Sequence, residues 1–256
     1  MNYLISEGVK VDAIITDPPY ATTGYKWDKI IPFETMWECL EKLIKPTGAI
    51  VLFGNEPFSS DLRMSNKELY KYDWKWLKTQ VTGFQSIKFQ PLRCYEDIMV
   101  FSKGGIVHQS KKHMKYFPQD LISVNLKVKR TSVDYLRETK RGQKYDGVQE
   151  YANYPRNVIQ FSRETNLVHP TQKPLNLMEY LIMTYTKIGD TVLDFTSGSG
   201  STLVACELAG REWIGIEITD KYCNVIKKRL KQGVQLKMLF DYREKEKEWF
   251  YDNNRK

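Results

Sequence analysis

The stretch TVLDFTSGSGSTLVACELAGREWIGIEI, residues 191–218, constrains the fold more than any other part of the chain. A short apolar run leads into a glycine-rich loop, a helix pattern follows, and a second apolar run closes the unit. Strands joined by a helical crossover run parallel, whereas antiparallel neighbours can be joined by a short hairpin loop. The stretch therefore predicts a strand–helix–strand unit of a parallel sheet.

The N-terminal part of the chain repeats this alternation. Residues 11–15 and 49–55 are apolar runs with the length of buried strands, and a helix pattern lies between them. The apolar positions of that pattern are Met36, Leu40, Leu43 and Ile44. Pro46 and Gly48 stop the predicted helix. Two such blocks predict an α/β fold with a doubly wound, mostly parallel sheet.

A basic segment separates the two blocks, and we interpret residues 103–165 as an insertion. From Ser102 to Gly147 the sequence has eleven Lys or Arg residues and four Asp or Glu residues, a net charge of +7. The net charge of the whole chain is +8. The aromatic residues interleaved with them are Tyr116, Phe117, Tyr135 and Tyr145. This pattern suits a polyanion such as nucleic acid. A solvated loop region explains the charge equally well.

The domain boundaries follow from this reading. Residues 1–102 and 166–240 are the two halves of one main domain, and residues 103–165 are inserted between them. Residues 241–256 form a charged tail, expected to be a solvated helix or a frayed end.

The glycine loop predicts a cofactor site at the carboxyl end of its strand. It is not a P-loop, because no Gly-Lys-Ser/Thr follows, and Leu203 replaces the third glycine of a dinucleotide fingerprint. Glu217 lies nineteen residues after Gly198, where an acid can accept hydrogen bonds from ribose hydroxyls. An adenosine-bearing cofactor without a required pyrophosphate fits these features. A tight turn followed by an ordinary exposed glutamate remains the alternative.

The sequence TDPPY, which follows the strand at residues 11–15, predicts a second site. Consecutive prolines fix the backbone and remove two N–H donors, so the carbonyl of Pro18 is presented rigidly. Asp17 and that carbonyl are both acceptors and could receive the two hydrogens of an exocyclic amine. Tyr20 offers a face on which a planar base can stack. Taken alone, the four residues are more often a turn.

Three motifs in order resemble the β-class amino-group DNA methyltransferases of bacteria and phages. They are DPPY at residues 17–20, HPTQKP at 169–174 and FTSGSGST at 195–202. Only sixteen residues precede Asp17, where members of that family usually carry a further helix or strand. The resemblance implies a Rossmann-like methyltransferase fold, S-adenosyl-L-methionine as cofactor and double-stranded DNA as substrate. It also implies a target-recognition role for the insertion.

Site residues are carried over from the resemblance by motif. The implied catalytic residues are Asp17, Pro18, Pro19 and Tyr20. The implied cofactor residues are Asp194, Phe195, Thr196, Gly198, Gly200, Glu217, Thr171, Gln172 and Lys173. Of these, Thr171 to Lys173 are expected to close the pocket near the amino-acid part of the cofactor. The alternative is that they cap the following helix.

The reaction implied is methylation of an amino group on a base flipped out of the duplex. An aspartate at the first motif position favours N6 of adenine, and N4 of cytosine is the alternative. C5-cytosine chemistry needs a nucleophilic cysteine, usually after proline, and the sequence has no Pro-Cys pair. A dehydrogenase would leave DPPY unexplained. An inactive DNA-binding relative and RNA as substrate stay open.

Composition limits the other classes of function. The four cysteines are scattered without a C-x-x-C pair, so neither a zinc site nor a disulfide framework is indicated, and no metal is assigned. No apolar run reaches the roughly 18–20 residues of a membrane span, and the N-terminus lacks the features of a secretory signal. We therefore expect a cytoplasmic protein without a membrane partner. A homodimer, a separate restriction endonuclease and a restriction–modification role are suggested by the resemblance alone.

Overall fold

A computed structural model describes residues 1–25, 27–131, 144–164 and 167–233. The chain forms two compact units. The first comprises Met1–Phe117 and the chain from Asn157 onward, and the second is Pro118–Arg156. Within the described ranges, no helix is both long enough and apolar enough to cross a membrane.

The first unit is built from six α-helices, a short 3₁₀ helix (Phe84–Ser86) and seven strands among the described residues. The helices are α1 (Asn2–Ser6), α2 (Phe33–Leu43), α3 (Phe58–Ser65), α4 (Leu175–Tyr185), α5 (Ser201–Ala209) and α6 (220–233). Its first four strands are β1 (Val11–Thr16), β2 (Ile44–Gly54), β3 (Tyr70–Thr82) and β4 (Arg93–Phe101). The second unit contributes β5 (Ile122–Thr131) and β6 (Lys144–Ala152). The strands β7 (Val158–Phe161), β8 (Thr191–Asp194) and β9 (Glu212–Gly215) complete the first unit.

The seven strands of the first unit form one sheet in the order β7-β3-β4-β2-β1-β8-β9. Strand β1 pairs in parallel with β2 and β8, β8 with β9, and β3 with β7. Strand β4 is antiparallel to both of its neighbours. The predicted mostly parallel sheet is confirmed. As a result, the carboxyl ends of β1, β2, β3 and β8 and the beginning of β4 lie at the same edge.

Helices cover both faces of this sheet, as the doubly wound prediction requires. Every residue of β1 is buried, because each of its two faces packs against helices. Ala13 and Ile15 lie in a core with α4 and α5, while Ile14 lies in the opposite core with α2 and α3. The alternation of side chains along a strand separates the two cores.

The structure corrects two predicted boundaries. Ile44 was expected on the face of α2 but is the first residue of β2, with extended backbone at φ −74° and ψ 137°. Pro46 disfavours helical backbone at Lys45, so α2 cannot continue through that residue. Residues 158–161 were assigned to the insertion and instead form β7 at the edge of the main sheet. This strand has a weak apolar pattern, and Val158 is exposed.

The second unit is smaller than the predicted insertion. It contains β5 and β6, which pair antiparallel as a separate two-stranded sheet. Residues 103–117 and 157–164, also assigned to the insertion, belong to the first unit. The charged tail predicted at 241–256 lies outside the described residues.

A buried hydrogen-bond cluster ties α4 to the sheet. The Tyr185 hydroxyl accepts a 2.6 Å hydrogen bond from the Trp74 indole and lies 3.0 Å from the Tyr72 hydroxyl. Burial raises the pKa of Tyr185 well above its ordinary value, and the neighbouring Tyr72 adds to this rise, so the hydroxyl stays protonated.

Replacing Tyr185 by Phe should lower the free energy of unfolding by about 1–3 kcal/mol, because the buried Trp74 indole N–H loses its partner. Urea denaturation measures this loss. Tyr3→Phe is the matched control, since the Tyr3 side chain is exposed and its change should stay within about 0.5 kcal/mol. Equal midpoints for the two variants would contradict the assignment.

Candidate functional site

Hydrogen bonds join the loops that follow β1 and β8 at the sheet edge. The Thr16 hydroxyl donates to Asp194 Oδ1 at 2.6 Å, and the Thr196 hydroxyl donates to the carbonyl of Asp17 at 3.1 Å. Strands β1 and β8 are neighbours, so residues almost 180 positions apart in sequence come into contact. The DPPY loop and the glycine loop therefore form one site.

The two loops line a cavity of about 670 Å³ at this edge. The lining includes all the predicted catalytic residues and most of the predicted cofactor residues, namely Asp17, Pro18, Pro19, Tyr20, Thr171, Gln172, Lys173, Asp194, Phe195, Thr196, Gly198 and Glu217. Gly200 is the exception. It precedes α5 and packs against Ile226 instead.

Asp17 lies in a nearly buried network of charged groups. The Tyr20 hydroxyl donates to its Oδ1, and the Lys173 ammonium donates to its Oδ2. Lys173 Nζ also lies 3.3 Å from Glu96 Oε2, and Lys78 forms an ion pair with the other oxygen of Glu96. Two carboxylates and two ammonium groups thus balance each other at the end of the cavity that holds DPPY.

Burial and neighbouring charges shift the pKa values in this network. Burial raises the pKa of Asp17, Lys173 opposes this rise, and Glu96 reinforces it. Burial disfavours the charged form of Lys173, yet the two carboxylates together raise its pKa. Burial would raise the pKa of Glu96, but Lys173 and Lys78 together lower it. Lys173 therefore stays charged, and its charge favours the ionised form of both acids.

Tyr20 and the loop after it build the next wall of the cavity. The Tyr20 ring packs against Phe58 at 4.9 Å between centroids. Asp28 is buried and accepts hydrogen bonds from the backbone N–H of Ala21 at 2.9 Å and from the backbone N–H and the hydroxyl of Thr23 at 2.6 and 2.7 Å. Burial alone would raise the pKa of Asp28, but these hydrogen bonds lower it, so the loop is organised around a carboxylate.

Three aromatic rings line the cavity where the motif loops approach each other. Trp27 lies 5.4 Å from the ring of His169, which lies 4.4 Å from the ring of Tyr222. Burial lowers the pKa of His169, so the imidazole is neutral at neutral pH. The three rings provide an apolar surface suited to a planar or aliphatic ligand group.

Glu217 is held by backbone donors of two loops. Its Oε2 accepts the N–H of Gly198 and its Oε1 accepts the N–H of Thr219, both at 2.8 Å. A carboxylate has about four acceptor sites, so each oxygen can accept a further hydrogen bond. Glu217 also lines the cavity, which leaves it suited to hydroxyl groups of a bound ligand.

Asp194 is buried beneath the glycine loop. It accepts hydrogen bonds from the Thr16 hydroxyl at 2.6 Å and from the Thr196 N–H at 3.2 Å. Burial raises the pKa of Asp194 to about 6, against the effect of these donors. Its contacts show a role in joining β1 to the loop, beside the predicted role in cofactor binding.

Thr171 and Gln172 of the HPTQKP segment make local hydrogen bonds. His169 Nδ1 accepts the N–H of Thr171 at 3.2 Å, and Gln172 Oε1 accepts the N–H of Val168 at 3.1 Å. Helix α4 begins after Pro174 without a side-chain cap. The N–H of Leu175 is bound by Glu164 instead, at 2.9 Å. The alternative interpretation of residues 171–173 as a helix cap is therefore wrong.

Several lining residues were not predicted from the sequence. They are Trp27, Asp28, Asn55, Trp76, Glu96, Arg163 and Tyr222. Glu96 faces the site because β4 is antiparallel and starts at the same edge at which β2 ends, with Asp97 opposite Gly54. No local pattern signals that direction. Asn55 directly follows β2, so the rule that ligands lie beyond strand ends could have found it.

The chain and its fold have counterparts among known proteins. The family model described as DNA methylase, for N6 and N4 methyltransferases, matches residues 11–228. The chain therefore belongs to this DNA methylase family. The predicted membership is confirmed.

Two relatives and one solved structure illustrate the likeness. The chain is 31% identical to the type II methyltransferase M.HpaI of Haemophilus parainfluenzae, over 86% of this chain and 68% of the relative. It is 30% identical to the DNA adenine methyltransferase YhdJ of Escherichia coli K12, over 86% and 76%. The crystal structure of the M1.HpyAVI–SAM complex aligns with a TM-score of 0.59 and 26% identity, over 90% of this chain and 93% of that one. The predicted methyltransferase fold is confirmed.

Gly200→Ala should destabilise the protein more than Gly210→Ala. Both glycines have left-handed backbone, with φ of 77° and 71°, so alanine costs about 1–2 kcal/mol at either position. A Cβ at position 200 would also lie 2.9 Å from Ile226, whereas at position 210 it would meet nothing closer than 3.7 Å. We expect a further ~1–3 kcal/mol for Gly200→Ala, measured by urea denaturation. An equal loss in free energy of unfolding for the two variants would show that the Ile226 side chain moves aside at no cost.

Proposed function

We propose that the protein transfers a methyl group from S-adenosylmethionine to the N6 amino group of adenine in duplex DNA. The observation that carries this proposal is the partly buried Asp17 carboxylate, in one cavity with the glycine loop and Glu217. The membership of the DNA methylase family supports it.

The target base has to leave the helix, because a paired amino group inside a duplex is out of reach. We infer that Asp17 and the carbonyl of Pro18 accept the two hydrogens of that amine. Their acceptance steers the nitrogen toward tetrahedral geometry and frees its lone pair, which the ring otherwise delocalises. The surplus proton of the methylated amine passes to the Asp17 carboxylate or to water as, or after, the methyl group transfers. Tyr20 would stack on the base, with its ring backed by Phe58.

The residues at the other end of the cavity fit an adenosine-bearing cofactor. A volume of about 670 Å³ lies within the usual range of small-molecule sites. Glu217 would accept the ribose hydroxyls, while Asp194, Phe195 and Gly198 would line the methionine part. When bound, S-adenosylmethionine supplies a methyl group that its positively charged sulfur already activates. The enzyme's contribution is then chiefly to hold the acceptor nitrogen in line.

Adenine is favoured over cytosine by the aspartate at the first position of DPPY. The relative YhdJ, named a DNA adenine methyltransferase, supports this choice. Cytosine N4 is the second candidate, because it presents the same exocyclic amine to the same two acceptors.

DNA recognition is assigned to the basic segment. We infer that residues 103–165, with the compact unit at their centre, read the target sequence, since this part carries most of the excess positive charge. The name of M.HpaI as a type II methyltransferase supports a restriction–modification role with a separate endonuclease. A cytoplasmic location follows from the DNA substrate, and the proposed homodimer rests on family resemblance.

Mass spectrometry of digested DNA tests the reaction. Duplex DNA free of methylated bases, incubated with the protein and S-adenosylmethionine, should yield N6-methyladenine. Asp17→Ala should reduce the product at least 100-fold, because the amine loses an acceptor. Asp61→Asn, an exposed change on α3, is the control and should keep full activity.

Each alternative has its own outcome in this assay. N4-methylcytosine would keep the mechanism and overturn the choice of base. If the protein binds DNA and yields neither product, the enzyme reading fails in favour of an inactive DNA-binding relative.

Glu217→Gln should weaken the binding of S-adenosylmethionine about 10- to 100-fold, since hydrogen bonds to a charged acceptor contribute roughly 1.5–3 kcal/mol. Isothermal titration calorimetry on the protein without DNA measures this Kd. Glu212→Gln, exposed on β9, is the matched control and should leave the Kd unchanged. An unaltered Kd for Glu217→Gln would remove this residue from the cofactor site.

A further inference from the structure

Lys173 belongs to the motif expected to serve the cofactor, yet its ammonium group contacts the catalytic loop. It donates to Asp17 Oδ2 and lies 3.3 Å from Glu96 Oε2. We propose that Lys173, held in place by Glu96, is a positioning residue that keeps Asp17 ionised and oriented toward the target amine. This inference rests on the proposed function of Asp17.

The geometry leaves Lys173 little freedom. Its side chain is 9% exposed, and its ammonium lies 5.0 Å from the centroid of the Phe53 ring. Phe53 is in β2 and Glu96 is in β4, which are paired central strands of the sheet. Rigid elements thus hold the ammonium on one side, and Asp17 receives it on the other.

Glu96 is anchored independently of Lys173. Lys78, on the neighbouring strand β3, forms an ion pair with Glu96 Oε1. Oε2 of Glu96 is buried and lies 3.3 Å from the Lys173 ammonium, with which it forms an ion pair. Glu96 therefore attracts the Lys173 ammonium at one oxygen while Lys78 holds the other, and the ammonium also donates to Asp17.

Charge explains why Asp17 needs this lysine. Two nearly buried carboxylates that face each other without a cation tend to share a proton. A protonated Asp17 would become a hydrogen-bond donor at one oxygen, whereas the proposed mechanism needs an acceptor. Lys173 lies between Asp17 and Glu96 and favours the ionised form of both.

The groups that set the ionisation of Asp17 come from several elements. Tyr20 lies in its own loop, Lys173 precedes α4, Glu96 is in β4 and Asp194 ends β8. Of the charged groups in this set, Lys173 is the cation, Glu96 acts to raise the pKa of Asp17, and Asp17 in turn raises the pKa of Asp194. Removing Lys173 should therefore raise the pKa of Asp17.

The test compares Lys173→Met, which removes the charge, with Lys173→Arg, which keeps it. At saturating DNA and S-adenosylmethionine, the Met variant should methylate at least tenfold more slowly at pH 7. The difference between its rate and the wild-type rate should shrink toward pH 9. A higher pKa of Asp17 shifts the rise in rate to higher pH, and at pH 9 Asp17 is again ionised. The Arg variant should keep the wild-type profile. The Kd for S-adenosylmethionine, measured by calorimetry, should change less than threefold in both, which also shows that they fold.

A readout without turnover separates this inference from the proposed function. The ¹³C carboxyl shift of Asp17, assigned with Asp17→Asn, gives its pKa in the free protein. We expect a higher pKa in Lys173→Met than in the wild type, whether or not the protein methylates DNA. An unchanged pKa overturns the proposal. A tenfold higher Kd for S-adenosylmethionine in Lys173→Met, with an unchanged rate at saturation, would also overturn it. That result would assign Lys173 to cofactor binding.

Discussion

The site depends on the pairing of β1 with β8. This pairing brings together two loops from opposite ends of the sequence, and the Thr16–Asp194 hydrogen bond of 2.6 Å joins them directly. Because both strands are parallel, their carboxyl ends open at the same edge. A change that shifted the register of β8 would therefore move the cofactor residues relative to DPPY, even with every motif residue intact.

Buried charge is the second constraint, and it shapes each end of the cavity differently. Near DPPY, the charge of Asp17 is compensated by the Lys173 ammonium. At the other end, backbone N–H groups hold Glu217, and a carboxylate held by such donors can still accept hydroxyls. Asp194 receives donors but no cation, and burial raises its pKa to about 6. The difference matches the three tasks proposed for these residues: acceptance of an amine by Asp17, acceptance of hydroxyls by Glu217 and connection of two strands by Asp194.

Much of this arrangement could be predicted from the sequence, because strand exits and glycine loops have local signals. Such signals predict the parallel sheet, the buried strand before Asp17 and the position of Glu217 after β9. The direction of β4 is not predicted in this way, since an apolar run looks the same in either direction. Glu96 was missed for that reason. The edge strand β7 was missed because an exposed strand carries little apolar periodicity.

Lys173 shows that a family resemblance can identify a motif without showing what each of its side chains contacts. In the sequence, Lys173 follows Thr171 and Gln172, whose hydrogen bonds are local, to His169 and Val168. A lysine has a stem long enough to reach a charge well away from its own backbone. The position of the Lys173 ammonium is fixed by burial and by two carboxylates that attract it. One belongs to Glu96 in β4 and the other to Asp17 in the loop after β1. One segment thus lines the cavity with Thr171 and Gln172 and reaches the DPPY loop through Lys173.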